Sequence, residues 1–402
     1  MAPPGWLLIG PRDSRRLRGL QQALRERGLA AAEELHYEDL LDGGLGDGLD
    51  GGALAAPQRA AERIAARPGA LVKIESPGEA PALHAALIER GWRALGAPGA
   101  PPRPLQHGEL AYQHYWYAGF RELLDALPAR AGYLNPPDDI AGMSDKLACQ
   151  LRLRAQGIAI PPLLGELHSY EHLRALLREH GAGQVFVKAR YGSSGAGVLA
   201  YRADRGGREA AYGSAELVED GGVARVFNSL RPRRYDDSAQ IARLVDAIAA
   251  QGAYVERWIP KPRAPDGEGG HYDIRAVALD GFLRHRVARV GRGPLTNLHL
   301  GNRRGALAQW LDDSAMHALE IATQQAAMAF PRSRMIGFDL ILRDGRSWVL
   351  EANAFGDLLL DLPWQGLSTY QDQALLRPVP ASNAPQAPHA PQAPHAPEPA
   401  HA

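Results

Sequence analysis

The chain has 402 residues, enough for two or three domains with buried cores. Its 45 basic and 45 acidic residues cancel, so no global field favours nucleic acid or a membrane surface. A single cysteine, Cys149, leaves no internal disulfide and no cysteine-built metal site. No apolar run approaches the ~18 residues of a membrane span, and residues 1–10 lack the basic-then-apolar pattern of a signal peptide. A soluble, cytoplasmic protein is the expectation.

Residues 6–9 form a short apolar run, followed by Asp13-Ser14 and a helical pattern through Leu17, Leu20, Ala23 and Leu24 to Gly28. This spacing predicts a strand, a capped helix and a glycine stop. A helix over about 57–67, a strand over 70–74 and a helix over about 79–90, ended by Gly91, repeat the alternation. A small parallel α/β domain over residues 1–105 follows. Without G-x-G-x-x-G after the first strand, a dinucleotide site is not expected there. The Asp/Gly stretch 42–50 has aspartates at the wrong offsets for a calcium loop and reads as surface.

Residues 98–104 are a proline-rich connector, and 107–127 read as one helix within a connecting segment, 106–134. Tyr112, Tyr115, Trp116, Tyr117 and Phe120 lie on it at a spacing that favours core over pocket. His107, Glu109 and His114 lack the spacing of a helical metal pair.

Only four of the basic residues are lysines: Lys73, Lys146, Lys188 and Lys261. A chain so biased toward arginine keeps lysine where a compact ammonium is needed. Lys73 and Lys261 read as chance survivors. Lys146 lies in the first turn of a helix over 144–157, capped by Ser144 and stopped by Gly157. A cation there opposes the helix dipole, which points to a ligand. Lys188 closes an apolar run that falls into Gly192-Ser193-Ser194-Gly195-Ala196-Gly197 and rises into a second run, 198–201. This reads as a hairpin whose glycines let backbone N–H groups form a phosphate nest.

The arginine-rich segment 202–235 has no assignable pattern. Residues 237–251 read as a helix and 253–260 as a strand. Residues 271–279 and 281–290 form a hairpin around Asp280-Gly281. A helix over 313–329 precedes a second hairpin, 335–342 and 347–352, across Asp344-Gly345. From 378 to 402 the chain is an Ala/Pro/His repeat, expected to be disordered and partly polyproline II. His389, His395 and His401 read as low-complexity drift.

Pairing across Asp344-Gly345 places Asp339 opposite Glu351, with Asn353 on the same face as Glu351. Three hard oxygen ligands converge, a set suited to magnesium shared with substrate phosphates. Their apolar flanks argue for a compensating cation, because bare carboxylates are costly to bury.

Over residues 135–360 these features resemble the ATP-grasp superfamily, and most closely its branch of ribosomal-protein glutamate ligases and glutathione synthetases. The carrying motifs are Ser144-Asp-Lys-Leu, Val187-Lys188 with its glycine loop, Val255-Glu-Arg-Trp-Ile259, Asp273-Ile-Arg275, Arg289, Thr296-Asn-Leu-His-Leu-Gly301, and Asp339, Glu351 and Asn353. There is no Gly-Lys dipeptide, so no Walker A loop competes. The chain is also similar to an uncharacterised bacterial ATP-grasp group found beside radical-SAM enzymes, which hints at peptide or small-molecule modification.

The resemblance implies an α/β (α+β) ATP-grasp fold. A small subdomain over 135–252 and a C-terminal subdomain over 253–377 grip ATP, behind the N-terminal domain. It implies ATP as cosubstrate and two magnesium ions, with manganese as a substitute, held by Asp339, Glu351 and Asn353. Lys146, Lys188, Asp273, Arg275 and Asn297 would serve the nucleotide, together with a mobile lid of Gly192, Ser193, Ser194, Gly195 and Gly197. Backbone groups of Arg257, Trp258 and Ile259 would read adenine, assisted by Glu256. Arg289, Arg275 and Lys188 would act on the transferring phosphoryl group. The implied activity is a carboxylate–amine ligase with an unidentified acid and amine, acting through an acyl phosphate. A small-molecule kinase and a non-catalytic ATP-binding module stay open, as does a homo-oligomer.

Some positions depart from the family pattern. Phe355-Gly-Asp-Leu replaces the S-P-G of those ligases and sets Asp357 near the acceptor end. Leu300 stands where they have arginine, and Gly301-Asn302 where they have a double glycine. The ribose partner, Asp266 or Glu268, stays open.

Overall fold

In a computed structural model, the described residues are 5–41, 56–78, 80–192, 195–204, 206–220, 223–359 and 361–377. The aspartate–glycine stretch at 42–50, Ser193, Ser194 and the Ala/Pro/His tail lie outside them. Three sheets form the frame. Strands β1 (Trp6–Gly10), β2 (Glu33–His36) and β3 (Leu71–Ile74) make a parallel sheet in the order β2-β1-β3. Around it lie α1 (Arg15–Glu26), α2 (Tyr37–Leu41), α3 (Ala56–Ala65) and α4 (Pro81–Ala94). β2 and α2 are additions to the sequence-based expectation: Glu33-Glu-Leu-His36 is polar and half-buried, so no apolar run marks an edge strand there.

Ser14 caps α1 by accepting from the Arg16 N–H at 3.2 Å. Leu7 and Ile9 join one core with Ile274 and Phe338, whereas Trp6 and Leu8 join another with Leu20, Val277 and Leu279. The first sheet is therefore buried on both faces, as parallel sheets are. Gly91 does not end α4, which continues to Ala94. It crosses Gly119 of α5 (Gln113–Asp125), and a Cβ at Gly91 would stand 1.8 Å from the Tyr115 carbonyl oxygen. Helix α5 is also shorter than the expected 107–127. It begins after Tyr112, whose φ of 57° is left-handed and stops any N-terminal extension.

Helices α6 (Pro137–Ser144) and α7 (Lys146–Ala155) lead into a six-stranded antiparallel sheet, β4-β9-β5-β6-β7-β8. Its strands are β4 (Leu163–Leu167), β5 (Gln184–Ala189), β6 (Val198–Ala203), β7 (Glu209–Asp220), β8 (Val223–Tyr235) and β9 (Ala253–Arg257). Helices α8 (Tyr170–Glu179) and α9 (Ser238–Ala249) contribute Leu173, Leu176, Ile241 and Leu244 to its core. The unassigned segment 202–235 is mostly the long β7/β8 hairpin.

The third sheet runs β12-β11-β10-β13-β14, from β10 (His271–Leu279), β11 (Phe282–Gly291), β12 (Arg303–Gly305), β13 (Met335–Arg343) and β14 (Arg346–Asn353). Helices α10 (Leu307–Trp310) and α11 (Asp313–Met328) precede β13, and α12 (Thr369–Ala374) follows β14. Both Asp-Gly turns form as expected, with φ positive at Asp280 (49°), Gly281 (83°), Asp344 (51°) and Gly345 (70°), the backbone these hairpins require.

One face of β10 changes character along its length. Asp273 and Arg275 are charged, whereas Val277 and Leu279 on the same face are apolar and pack into the core that holds Trp6 and Leu8. The strand thus packs against the first sheet at one end and presents charge at the other. No helix among the described residues is long and apolar enough to cross a membrane.

Cys149 lies on α7, 2% exposed, and burial pushes its thiol up to about 12. A thiol reagent at pH 8 should leave it unlabelled in the folded chain and label it in denaturant; equal labelling rates would contradict this burial.

Candidate functional site

The expected pairings form on the third sheet. Asp339 faces Glu351 across β13 and β14, and Gly337 faces Asn353. Arg275 faces Asp339 across β10 and β13, and Asp273 faces Arg289 across β10 and β11. Opposite charges therefore alternate over one face. Arg275 Nε donates to Asp339 Oδ1 at 2.5 Å, and Arg289 Nη2 lies 2.9 Å from Asp339 Oδ2. Arg289 Nε donates to Asp273 Oδ1 at 2.8 Å.

Burial alone would raise the Asp273 carboxyl, but Arg289 and Lys261 hold it well below the usual carboxylate range. Burial also works to raise Asp339, and Arg275 and Arg289 reverse it. Burial works to lower Arg289, and Asp273 with Asp339 raises it well above an ordinary arginine. The row is ionised and internally compensated.

Lys146, at the start of α7, and Lys188, on β5 of the second sheet, reach the same region. The cap of α7 is Asp145, which accepts from the Ala148 N–H at 3.1 Å; Ser144 instead ends α6 and donates to the Ile140 carbonyl. Asp145 takes a two-pronged hydrogen bond from Arg190 (2.8 and 2.7 Å), which ties α7 to the chain just beyond Lys188. Lys146 Nζ then donates to Glu351 Oε1 at 2.7 Å and to the Gly192 carbonyl at 2.8 Å. Lys188 pairs with Glu256 Oε1 at 2.5 Å. Burial raises the Glu256 carboxyl and Lys188 offsets part of that.

In the glycine loop, Gly192, Gly195 and Gly197 have φ of 111°, 69° and 67°, which explains their identity. A Cβ on Gly195 would stand 3.4 Å from Asn297 Oδ1, so the loop lies beside Asn297.

Other candidate residues have partners within the chain. The Arg257 N–H donates to the Pro162 carbonyl at 2.8 Å and the Trp258 N–H to the Gln184 carbonyl at 3.2 Å, so these two donors are already used for sheet pairing. The Trp258 ring packs 5.1 Å from Phe186, and Arg257 Nη2 donates to the His180 carbonyl. Asp266 and Glu268 both pair with Arg303 of β12.

Lys261 is no chance survivor. Its ammonium reaches Thr296 Oγ1 at 2.7 Å, the Pro294 carbonyl at 3.0 Å and Asp273 Oδ2 at 3.1 Å. Burial lowers its pKa, and Asp273 counteracts that in part. Lys73 is also structural, in a buried cluster with Glu75 and Asp357. Asp357 is wholly buried in that cluster; its loop presses on β13 so tightly that a Cβ on Gly337 would meet Gly356 Cα at 2.5 Å. Lysine scarcity was the available signal for both lysines, but a lone lysine in sequence does not reveal its distant carboxylate.

As a magnesium site, Asp339, Glu351 and Asn353 offer hard oxygens on adjacent strands, and the chemistry fits. No group of three His, Cys, Asp or Glu side chains among the described residues is placed to hold an ion. Asn353 Oδ1 accepts from the Phe355 N–H at 2.8 Å, which fixes the amide at the end of β14.

No protein-family model and no curated protein sequence matches the chain. Solved structures do. The ADP complex of purK, a carboxyaminoimidazole ribonucleotide synthetase, aligns over 92% of this chain and 76% of its own with a TM-score of 0.51 at 10% identity. D-cycloserine synthetase DcsG aligns over 92% and 98% (TM-score 0.49, 16% identity), and the ATP-grasp ligase PsnB with a minimal precursor over 92% and 98% (TM-score 0.48, 15% identity). The similarity is one of fold.

Proposed function

We propose that this chain, which has the ATP-grasp fold, is an ATP-dependent carboxylate–amine ligase. The observation that carries the reading is the run of alternating charge Arg289, Asp339, Arg275 with Glu351 and Lys146 beside it. Every cation there is held by a carboxylate of the same site. A nucleotide brings a polyanion and magnesium a dication, so each side chain can exchange its partner without leaving a buried charge uncompensated.

Lys146, Lys188 and Arg275 would then neutralise phosphates, and Asp339, Glu351 and Asn353 would hold magnesium. Magnesium held there would supply positive charge against the phosphates. Arg289 is fixed by Asp273 and Asp339, so it would meet charge developing on the γ-phosphoryl group without reorganising. Lys261 would hold the second Asp273 oxygen and keep Arg289 aimed. A substrate carboxylate attacks the γ-phosphorus and ADP leaves; an amine then attacks the acyl carbon and phosphate leaves. Positioning and fixed charge are most of what phosphoryl transfer asks of a protein.

The test incubates the chain with ATP, magnesium, a mixture of amino acids and hydroxylamine. A ligase gives ADP, free phosphate and hydroxamates trapped from the acyl phosphate. A stable phosphoester without free phosphate would show a kinase, and ATP binding without ADP release would show a non-catalytic module; either overturns the reading.

A further inference from the structure

Glu351 and Asn353 reach the face of Asp339 through one extra residue. The turn at Asp344-Gly345 pairs Arg343 with Arg346, Leu342 with Ser347, Ile341 with Trp348 and Leu340 with Val349. Continued unbroken, that register would set Leu350 opposite Asp339. Side chains alternate along a strand, so a one-residue slip turns every later side chain over. Glu351 and Asn353 would then lie on the face of Phe338 and Leu340, both buried in the apolar core. The pairing observed is instead Asp339 with Glu351, Phe338 with Ala352 and Gly337 with Asn353. Leu350 is thus a β-bulge, an extra residue with no partner on β13.

A bulge takes its residue out of the ladder, and the freed backbone groups need other partners. Helix α7 supplies one. Gln150, 1% exposed, donates from Nε2 to the Leu350 carbonyl at 2.6 Å. Lys146, one turn earlier on the same face of α7, donates to Glu351 Oε1 at 2.7 Å. Between them Cys149 meets the Ala352 backbone. One helix face therefore grips Leu350, Glu351 and Ala352 in succession. Just before the bulge, the Val349 N–H donates to the Ala159 carbonyl at 2.9 Å, so β14 is held on both sides of the extra residue.

We propose that Gln150 is a positioning residue for the magnesium site: it holds the Leu350 bulge, and the bulge puts Glu351 and Asn353 on the face of Asp339. This rests on reading those three side chains as the magnesium ligands. The Gln150 amide acts on the Leu350 backbone and not on a ligand oxygen, so it controls metal affinity through the aim of the strand.

Manganese(II) is the probe, counted by electron paramagnetic resonance against the full chain holding ADP, with ADP alone as the blank. Gln150→Met keeps the length of the side chain and removes the donor. It should weaken manganese binding ~10- to 100-fold, the worth of an outer partner of a metal ligand. Binding of ADP in EDTA should stay at the wild-type value. The milder Gln150→Asn, one carbon too short for the Leu350 carbonyl, should show the same split and serves if Gln150→Met fails to fold. Unchanged manganese affinity in a folded variant, or an equal loss of ADP binding in EDTA, overturns the role of Gln150. A wild type that retains no manganese beyond the blank would instead strike the three ligands themselves, since the count needs no turnover.

Discussion

Asp339→Asn is expected to lower magnesium-dependent ADP release by more than about 100-fold, because even the outer partners of a metal ligand are worth ~10- to 100-fold. The substitution keeps the shape and removes the charge. Both Arg275 and Arg289 lose an anion, although Arg289 keeps Asp273. Breaking a buried ion pair from one side costs roughly 3–5 kcal/mol, so the unfolding midpoint in urea should fall as well. Glu351→Gln is the companion, since Glu351 is 30% exposed at its side chain and should cost little stability while costing the same activity. Undiminished turnover in both variants would remove these two side chains from the mechanism.

The second large effect belongs to Asp357→Asn. Its carboxylate holds Arg16, Lys73 and Gln373 together at zero exposure. Burial would raise Asp357, but Lys73 and Arg16 hold it far below the usual carboxylate range. A depressed carboxyl contributes stability above its unfolded value of about 4 and loses it as pH falls toward the folded value. The variant should therefore be roughly 3–5 kcal/mol less stable at pH 7. Measured by urea unfolding, the gap to wild type should hold from pH 7 to about 5 and narrow below about 4. A gap that widens in acid would contradict the assignment.

Local rules made much of the scaffold legible. The Asp-Gly turns fixed two hairpins and, to within the one-residue bulge at Leu350, the facing of Asp339 and Glu351. Apolar spacing marked α1, α9 and α11, and the glycines at 192, 195 and 197 marked positive φ. What stayed hidden depends on distant partners. Lys73 finds Asp357 across 284 positions, and Lys146 finds Glu351 across 205. The β7/β8 hairpin was obscured because its Arg-rich outer strand alternates poorly. The cap of α7 was misplaced by one residue because serine and aspartate adjoin and both cap well.

The four lysines share one more property. Their side chains are 2% (Lys73), 12% (Lys146), 14% (Lys188) and 10% (Lys261) exposed, and each is paired with a carboxylate. The exterior is thus dressed in guanidinium rather than amine. An acylating reagent or an amine-to-amine cross-linker finds no lysine there, and whatever lysine it reaches is one of four inward-facing side chains, three of them around the candidate site. Amine chemistry, usually a blunt survey of a protein's outside, becomes for this chain a reporter on its interior.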